Sequence, residues 1–271
     1  MRAQTEPRLG FGVNALLPKA RGGGALRMGL AALSESEWLQ PEPDLAARAA
    51  AFDALPDSVQ VMACAQNAGA ELAVMLGTTV GLEGAARAAW EDMCLLMPDA
   101  AGVYRLAGAA VAFPTDWHPA DKMGQPLIGL HKPIHGYAEQ LASGVDHFMA
   151  SLKPGRIFGR CNWFVAPTPA LRWIDTEPQS VTFAGVTAEN AGETLFVRSE
   201  RQTLRRLPQT GAIVFTIGVY VEPLAALSPD NLARLVEAVA TIPPEEAERR
   251  GAEYWASQLM QYAQSQETRL P

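Results

Sequence analysis

The chain has 271 residues, 48 per cent of them hydrophobic and 19 per cent charged, with a formal net charge of −7. That length and composition support a sizeable globular core, and the acidic balance excludes a uniform positive field for a phosphate backbone, so no nucleic-acid partner is expected. Residues 1–12 mix charges, Pro and Gly where a secretory signal needs a continuous apolar run, and no later window holds about 18 uncharged apolar residues. A cytoplasmic protein without a membrane partner is the expectation.

Residues 1–42, rich in Gly, Pro and Arg with a Gly22-Gly23-Gly24 run, read as an arm on a single domain spanning 43–271. From Asp44 to Met97 the Ala, Leu, Met and Glu content predicts three helices, with apolar residues at helical spacing over Val59–Met75 and Ala85–Leu96 and a stop at Met97-Pro98-Asp99. A strand is expected over Tyr104–Phe113, closed by Pro114, followed by a long polar loop. Tyr137, Leu141, Val145, Phe148 and Leu152 recur at steps of three and four, predicting a helix that ends before Pro154-Gly155. Strands follow over Arg156–Val165, Leu195–Arg201 and Ala212–Val221. Ser228-Pro229 then caps a short helix carrying Leu232, Leu235, Val236 and Val239, and a last helix runs from Pro244 to Gln264. Helices, then strands, then helices predict an α+β fold with a mainly antiparallel sheet.

The common signatures for dinucleotides, nucleoside triphosphates, zinc hydrolysis and serine hydrolysis are missing from the chain. Cys64, Cys94 and Cys161 form no C-x-x-C pair and by themselves cannot hold an iron–sulfur cluster or a structural zinc, so buried free thiols are expected. Two segments are dense in polar and aromatic residues. One runs from Phe113-Pro114-Thr115-Asp116-Trp117 through Lys122-Met123-Gly124 and Leu130-His131-Lys132-Pro133 to Arg160-Cys161-Asn162-Trp163. The other is Glu200-Arg201-Gln202-Thr203-Leu204-Arg205-Arg206-Leu207-Pro208.

In that order, P-x-x-W, K-x-G, H-x-P, R-x-N-W and E-R-Q-T-L-x-R-L-P resemble the haem-dependent oxidative N-demethylase family. Weaker matches at Met28-Gly29-Leu30, Glu37-Trp38-Leu39, Glu71-Leu72 and Glu91-Asp92 extend the resemblance over roughly residues 28–225. It implies a PAS-like domain that binds haem b and acts as a monooxygenase, demethylating a small amine such as dimethylamine with dioxygen. Electrons would come from NADPH through partner reductase subunits carrying flavin mononucleotide and a 2Fe–2S cluster, with tetrahydrofolate also bound there. The alternatives are a PAS-type haem gas or redox sensor without turnover, and a structural subunit without haem.

A haem iron needs an axial donor, and His131 leads among four histidines, three cysteines, nine methionines and five tyrosines. It lies between Ile128-Gly129-Leu130 and Lys132-Pro133, where a strand end or a rigid extended turn could orient the imidazole. A buried histidine bonded to backbone, or a distal-pocket residue, is the competing reading. His135 is a second pocket group or local variation, His147 points to a helix flank or solvent, and His118 is a surface or hydrogen-bonding residue. Cys161 reads as packing, with a thiolate ligand as its alternative.

Arg198, Arg201, Arg205 and Arg206 form a basic cluster that either pairs with Glu200 and neighbouring carboxylates or binds haem propionates, and Lys122 and Arg160 are further propionate candidates. Gln202, Asn162 and Glu200 are candidates to polarise bound oxygen or hold an ammonium, with Glu200 the carboxylate for a cationic amine and a salt bridge its plainer role. Trp117 and Trp163 are core residues or cofactor walls.

Overall fold

In the computed structural model, which describes residues 9–16, 28–132 and 136–268, the elements run in this order: α1 (Val13–Leu16), β1 (Ala31–Leu33), α2 (Leu45–Ala54), β2 (Val59–Val61), α3 (Gln66–Met75), α4 (Gly81–Arg87), β3 (Asp92–Pro98), β4 (Tyr104–Ala110), α5 (Pro119–Lys122), α6 (Leu127–Leu130), α7 (Tyr137–Gln140), α8 (Ala142–Ser151), β5 (Ile157–Ala166), α9 (Gln179–Thr182), α10 (Ala191–Thr194), β6 (Phe196–Arg206), β7 (Ile213–Pro223), α11 (Pro229–Ala240), α12 (Pro244–Arg249) and α13 (Ala256–Glu267). The strands form one open antiparallel sheet in the order β1-β5-β6-β7-β3-β4-β2, so the α+β expectation holds. The Gly22–Gly24 run lies outside the described residues.

Four expected helices are corrected, the first over Val59–Met75, where Val59–Val61 is strand β2 paired with β4 and α3 begins only at Gln66. The pattern over Ala85–Leu96 reads as helical, yet α4 stops at Arg87 and Asp92–Pro98 is a central strand paired with both β4 and β7. Met93, Cys94, Leu95 and Leu96 are all buried, and a strand covered on both faces carries no polar alternation to reveal its period. The helix expected from Tyr137 to Leu152 breaks at Leu141 (φ −121°, ψ −33°), which separates α7 from α8. The last helix breaks at Gly251, whose φ of 58° is a left-handed conformation that glycine adopts without a Cβ clash.

The chain divides into two compact units. The first comprises Met1–Gly10, Leu26–Arg160 and Arg201–Gly218. Asp44 starts α2 by accepting the Ala46 and Ala47 amides at 3.1 and 3.2 Å, satisfying donors that the first helical turn leaves open. One core cluster joins Leu96, Leu106 and Ile213 of the sheet to Leu127 of α6, Met149 of α8 and Leu204 of β6, with Phe148 and Phe158 edge to face at 5.3 Å.

Alternation along β6 divides the long polar motif between the two faces of the sheet. Gln202, Leu204 and Arg206 share one face, where Leu204 enters the cluster and Arg206 donates to the carbonyls of Leu152, Met149 and Gly211 and to the Tyr104 hydroxyl. Arg201, Thr203 and Arg205 share the other face. There Arg201 donates to the carbonyls of Glu37 and Trp38, the Thr203 hydroxyl pairs with Thr216 at 2.6 Å, and Arg205 lies 4.3 Å above the Trp38 ring while pairing with Glu35.

Glu71 of α3 locks the β6–β7 turn. Its carboxylate accepts the Gln209 amide at 2.7 Å, the Thr210 amide at 2.8 Å and the Thr210 hydroxyl at 2.6 Å. Glu71→Ala is expected to lower stability by about 2 kcal/mol, since hydrogen bonds to a charged group are the stronger class. Thermal unfolding measures the loss, and amide exchange at Gln209 and Thr210 should accelerate.

The second unit comprises Phe11–Ala25, Cys161–Glu200 and Val219–Pro271. Ser228 accepts the Asn231 amide at 3.3 Å and Pro229 opens α11, whose Leu232, Leu235 and Val239 are buried as their spacing predicts. They pack around Trp255, which is fully buried and donates its Nε1–H to the Arg250 carbonyl at 3.0 Å. Arg250 in turn donates to the Trp163 carbonyl at 2.7 Å and stands 5.0 Å from the Trp163 and Phe164 ring centroids, so Trp163 is a core wall of this unit.

Glu246 bonds both Arg249 and Arg250 at 2.6 Å. Burial alone would raise its carboxyl, but the Arg249 hydrogen bond and the charges of Arg250 and Arg249 hold it below the usual value. A depressed folded pKa contributes stability that is present above the unfolded value of about 4.3 and is lost as pH falls through the folded one. Below that unfolded value the wild type should lose about 1 kcal/mol that Glu246→Gln does not lose, read from thermal unfolding over an acid series.

Candidate active site

Pro126, in an extended conformation, starts a short turn in which Gly129 and Leu130 donate to its carbonyl, and His131 closes that turn as its C-cap (φ −100°, ψ 11°). The expected strand end or extended turn is therefore the end of a single helical turn. The Leu127 carbonyl accepts the His131 amide at 3.1 Å and stands 2.8 Å from His131 Nδ1. A carbonyl only accepts, so Nδ1 carries the proton and Nε2 keeps its lone pair, the tautomer able to ligate a metal. Burial lowers the His131 pKa; the Leu127 hydrogen bond opposes this, and the charges of Arg160 and Lys122 add to the lowering. Burial and these charges favour the neutral form of the imidazole.

His131 lines a cleft of about 520 Å³ with Ile128, Lys132, Gly136, Tyr137 and the 138–140 segment. That volume falls within the range of about 300–1,000 Å³ of cofactor and ligand sites. Ile128 is exposed there, placing an apolar side chain at the rim. The Tyr137 ring stacks on the imidazole, with centroids 4.3 Å apart and planes 10° from parallel. Burial and the charge of Asp146 push its phenol up to about 12. Nothing in the sequence pattern marked Tyr137 beyond an apolar stripe. His135 lies outside the described residues.

The other candidates distribute as follows. Arg160 of β5 donates its Nε–H to Gln202 Oε1 of β6 at 2.8 Å, so these two act together, and Arg160 and Lys122 lie near enough to His131 to bias its charge. Arg201 and Arg206 are tied to main-chain carbonyls of the first unit, as described above. In the second unit Arg198 is fully buried and donates to the Ala170 carbonyl at 3.2 Å, Glu200 is buried and interacts electrostatically with Arg250, and Asn162 is half-buried in β5. His118 and His147 are exposed. Cys94 is buried, with burial and Asp92 pushing its thiol far up, Cys161 is half-buried, and Cys64 is exposed, which corrects the expectation of three buried thiols.

The family model described as haem-dependent oxidative N-demethylase, alpha subunit-like, matches residues 49–260. The chain belongs to this family. The match extends beyond the motif-bearing segments through α11 and α12 into α13, and begins after the Met28–Leu39 positions that also resemble it. Membership assigns a haem-dependent oxidative N-demethylase-like activity of the oxidoreductase class, and the alpha-subunit designation implies partner subunits. Among the described residues no helix is long and apolar enough to cross a membrane.

The residues present fit a haem. His131 offers one imidazole nitrogen with a fixed tautomer as a donor that would hold the iron, and Arg160 and Lys122 would supply positive charge for the carboxylates of the group.

Proposed function

We propose that this chain is the haem b subunit of a cytoplasmic N-demethylase, on a PAS-like sheet, with His131 as the residue that would hold the iron. Its substrate is a small secondary amine of the dimethylamine type. The net reaction consumes one dioxygen, two electrons and two protons and yields the primary amine, formaldehyde and water. The electrons come from NADPH through partner subunits that carry flavin and a 2Fe–2S cluster. Haem, when bound, supplies the redox-active iron for dioxygen chemistry.

What this chain supplies is orientation and charge. The Leu127 carbonyl fixes the His131 tautomer and raises the basicity of Nε2. Arg160, its guanidinium aligned by Gln202, and Lys122 take the propionates as planar and point-charge partners respectively. Arg198, Arg201, Arg206 and Asn162 are assigned to the same cofactor from the sequence motifs, and the donors of Arg201 and Arg206 also hold main-chain carbonyls. Glu200 is the carboxylate that favours a cationic amine, and Gln202 the neutral polar group beside Arg160.

The observation that carries this reading is the Nδ1–H to Leu127 hydrogen bond of a neutral histidine at the cleft. The purified chain with added haem should show a Soret band, and with dimethylamine, dioxygen and a reductase it should release formaldehyde. Absence of the band removes the haem assignment. A band without amine consumption under any reductant makes the chain a sensor.

A further inference from the structure

One hydrogen bond from the ring, Nδ1–H to the Leu127 carbonyl, holds one edge of the His131 imidazole, and a single bond does not by itself define a ring plane. The second constraint comes from the other side of the turn. Gly136, at φ 74°, takes the left-handed conformation that delivers α7, and Tyr137 is its first residue. The phenol is 4 per cent exposed, and its ring lies parallel to the imidazole at 4.3 Å. Its hydroxyl is buried and has no hydrogen-bond partner among the described residues. The interaction of Tyr137 that the described residues do show is the stack of its ring on the imidazole.

We propose that Tyr137 is a positioning residue: its ring sets the plane of the His131 imidazole and so the direction in which Nε2 faces the cleft. This rests on His131 being the iron ligand. Losing a group that orients a metal-bound histidine costs about 10- to 100-fold in metal affinity. Tyr137→Leu should therefore weaken haem uptake by the unloaded chain about 10- to 100-fold and change the low-temperature electron paramagnetic resonance g-values of the ferric protein. Tyr137→Phe keeps the ring and should match the wild type in both. Circular dichroism establishes that each variant is folded, and Tyr137→Met, which fills the space without a ring, replaces the leucine variant if that one does not fold.

Wild-type affinity and g-values in the leucine or methionine variant would overturn the proposal. Equal defects in Tyr137→Phe would overturn it too, because the hydroxyl would then be the acting group. His131→Ala, run in parallel, separates the two failures. If it loses the haem while the Tyr137 variants do not respond, only the positioning role falls; if it binds haem as the wild type does, the ligand assignment falls as well.

Discussion

His131→Ala should lose the Soret band of the haem-loaded chain, with haem affinity down by at least about 100-fold, beyond the 10- to 100-fold that losing an outer partner costs. The reason is local. Nδ1 is committed to the Leu127 carbonyl, so Nε2 is the ring's remaining donor atom, and alanine offers neither. The variant should nonetheless fold, because His131 is only partly buried and closes a four-residue helix rather than filling one of the core clusters. Far-ultraviolet circular dichroism identical to the wild type, with no haem bound, is the expected pair of results. A Soret band of unchanged position and intensity would move the ligand role elsewhere, to Cys161 or to His135.

The largest stability loss is expected from Asp92→Ala. Asp92 and Arg48 pair at 3.0 Å with side chains 1 and 0 per cent exposed. The carboxylate also accepts the Ala112 amide at 2.7 Å and the Phe113 amide at 3.1 Å, fixing the chain where it leaves β4. Arg48 donates further to the carbonyls of Ala86, Trp90 and Glu91 and lies 5.0 and 5.4 Å from the Phe52 and Phe113 rings. Burial drives the Asp92 carboxyl up and the Arg48 guanidinium down, and each one's charge opposes the shift of the other.

Removing one partner of such a pair leaves an uncompensated buried charge, which costs about 3–5 kcal/mol. For a chain of this size that corresponds to a fall in melting temperature of about 5–10 °C. Replacing both residues, as Arg48→Met with Asp92→Leu, should recover part of the loss, since a buried ion pair is not itself strongly stabilising. Thermal unfolding of the single and double variants measures both effects, and a single variant within about 1 kcal/mol of the wild type would show that water reaches Arg48.

Sequence reasoning reached the elements whose pattern is local. The β5, β6 and β7 strands, the Ser228-Pro229 start of α11 and its apolar stripe lie close to where alternation and capping put them, because those signals arise from residues a few positions apart. It failed at β3, where burial on both faces erases the period, and at Leu141 and Gly251, where a helical pattern runs through a backbone break. The weak matches at Glu71 and Glu91-Asp92 turned out to mark a turn lock and the neighbourhood of a buried ion pair, roles that depend on partners 138 and 44 residues away.

The candidate site divides in the same way. Residue types and motif order alone marked the haem family, with His131 and the basic segment from Arg198 to Arg206 as candidates, since a donor imidazole and a cluster of guanidinium groups are chemical identities that a sequence states directly. Only the tertiary structure decided which atom of His131 is available, that Tyr137 stacks on it, and that Arg160 pairs with Gln202 while Arg201 and Arg206 serve main-chain carbonyls. The physical reason is that a tautomer, a ring plane and the spending of a guanidinium's donors are set by acceptors distant in the chain, and the alternating faces of β6 and the closed turn after Pro126 determine which acceptors those are.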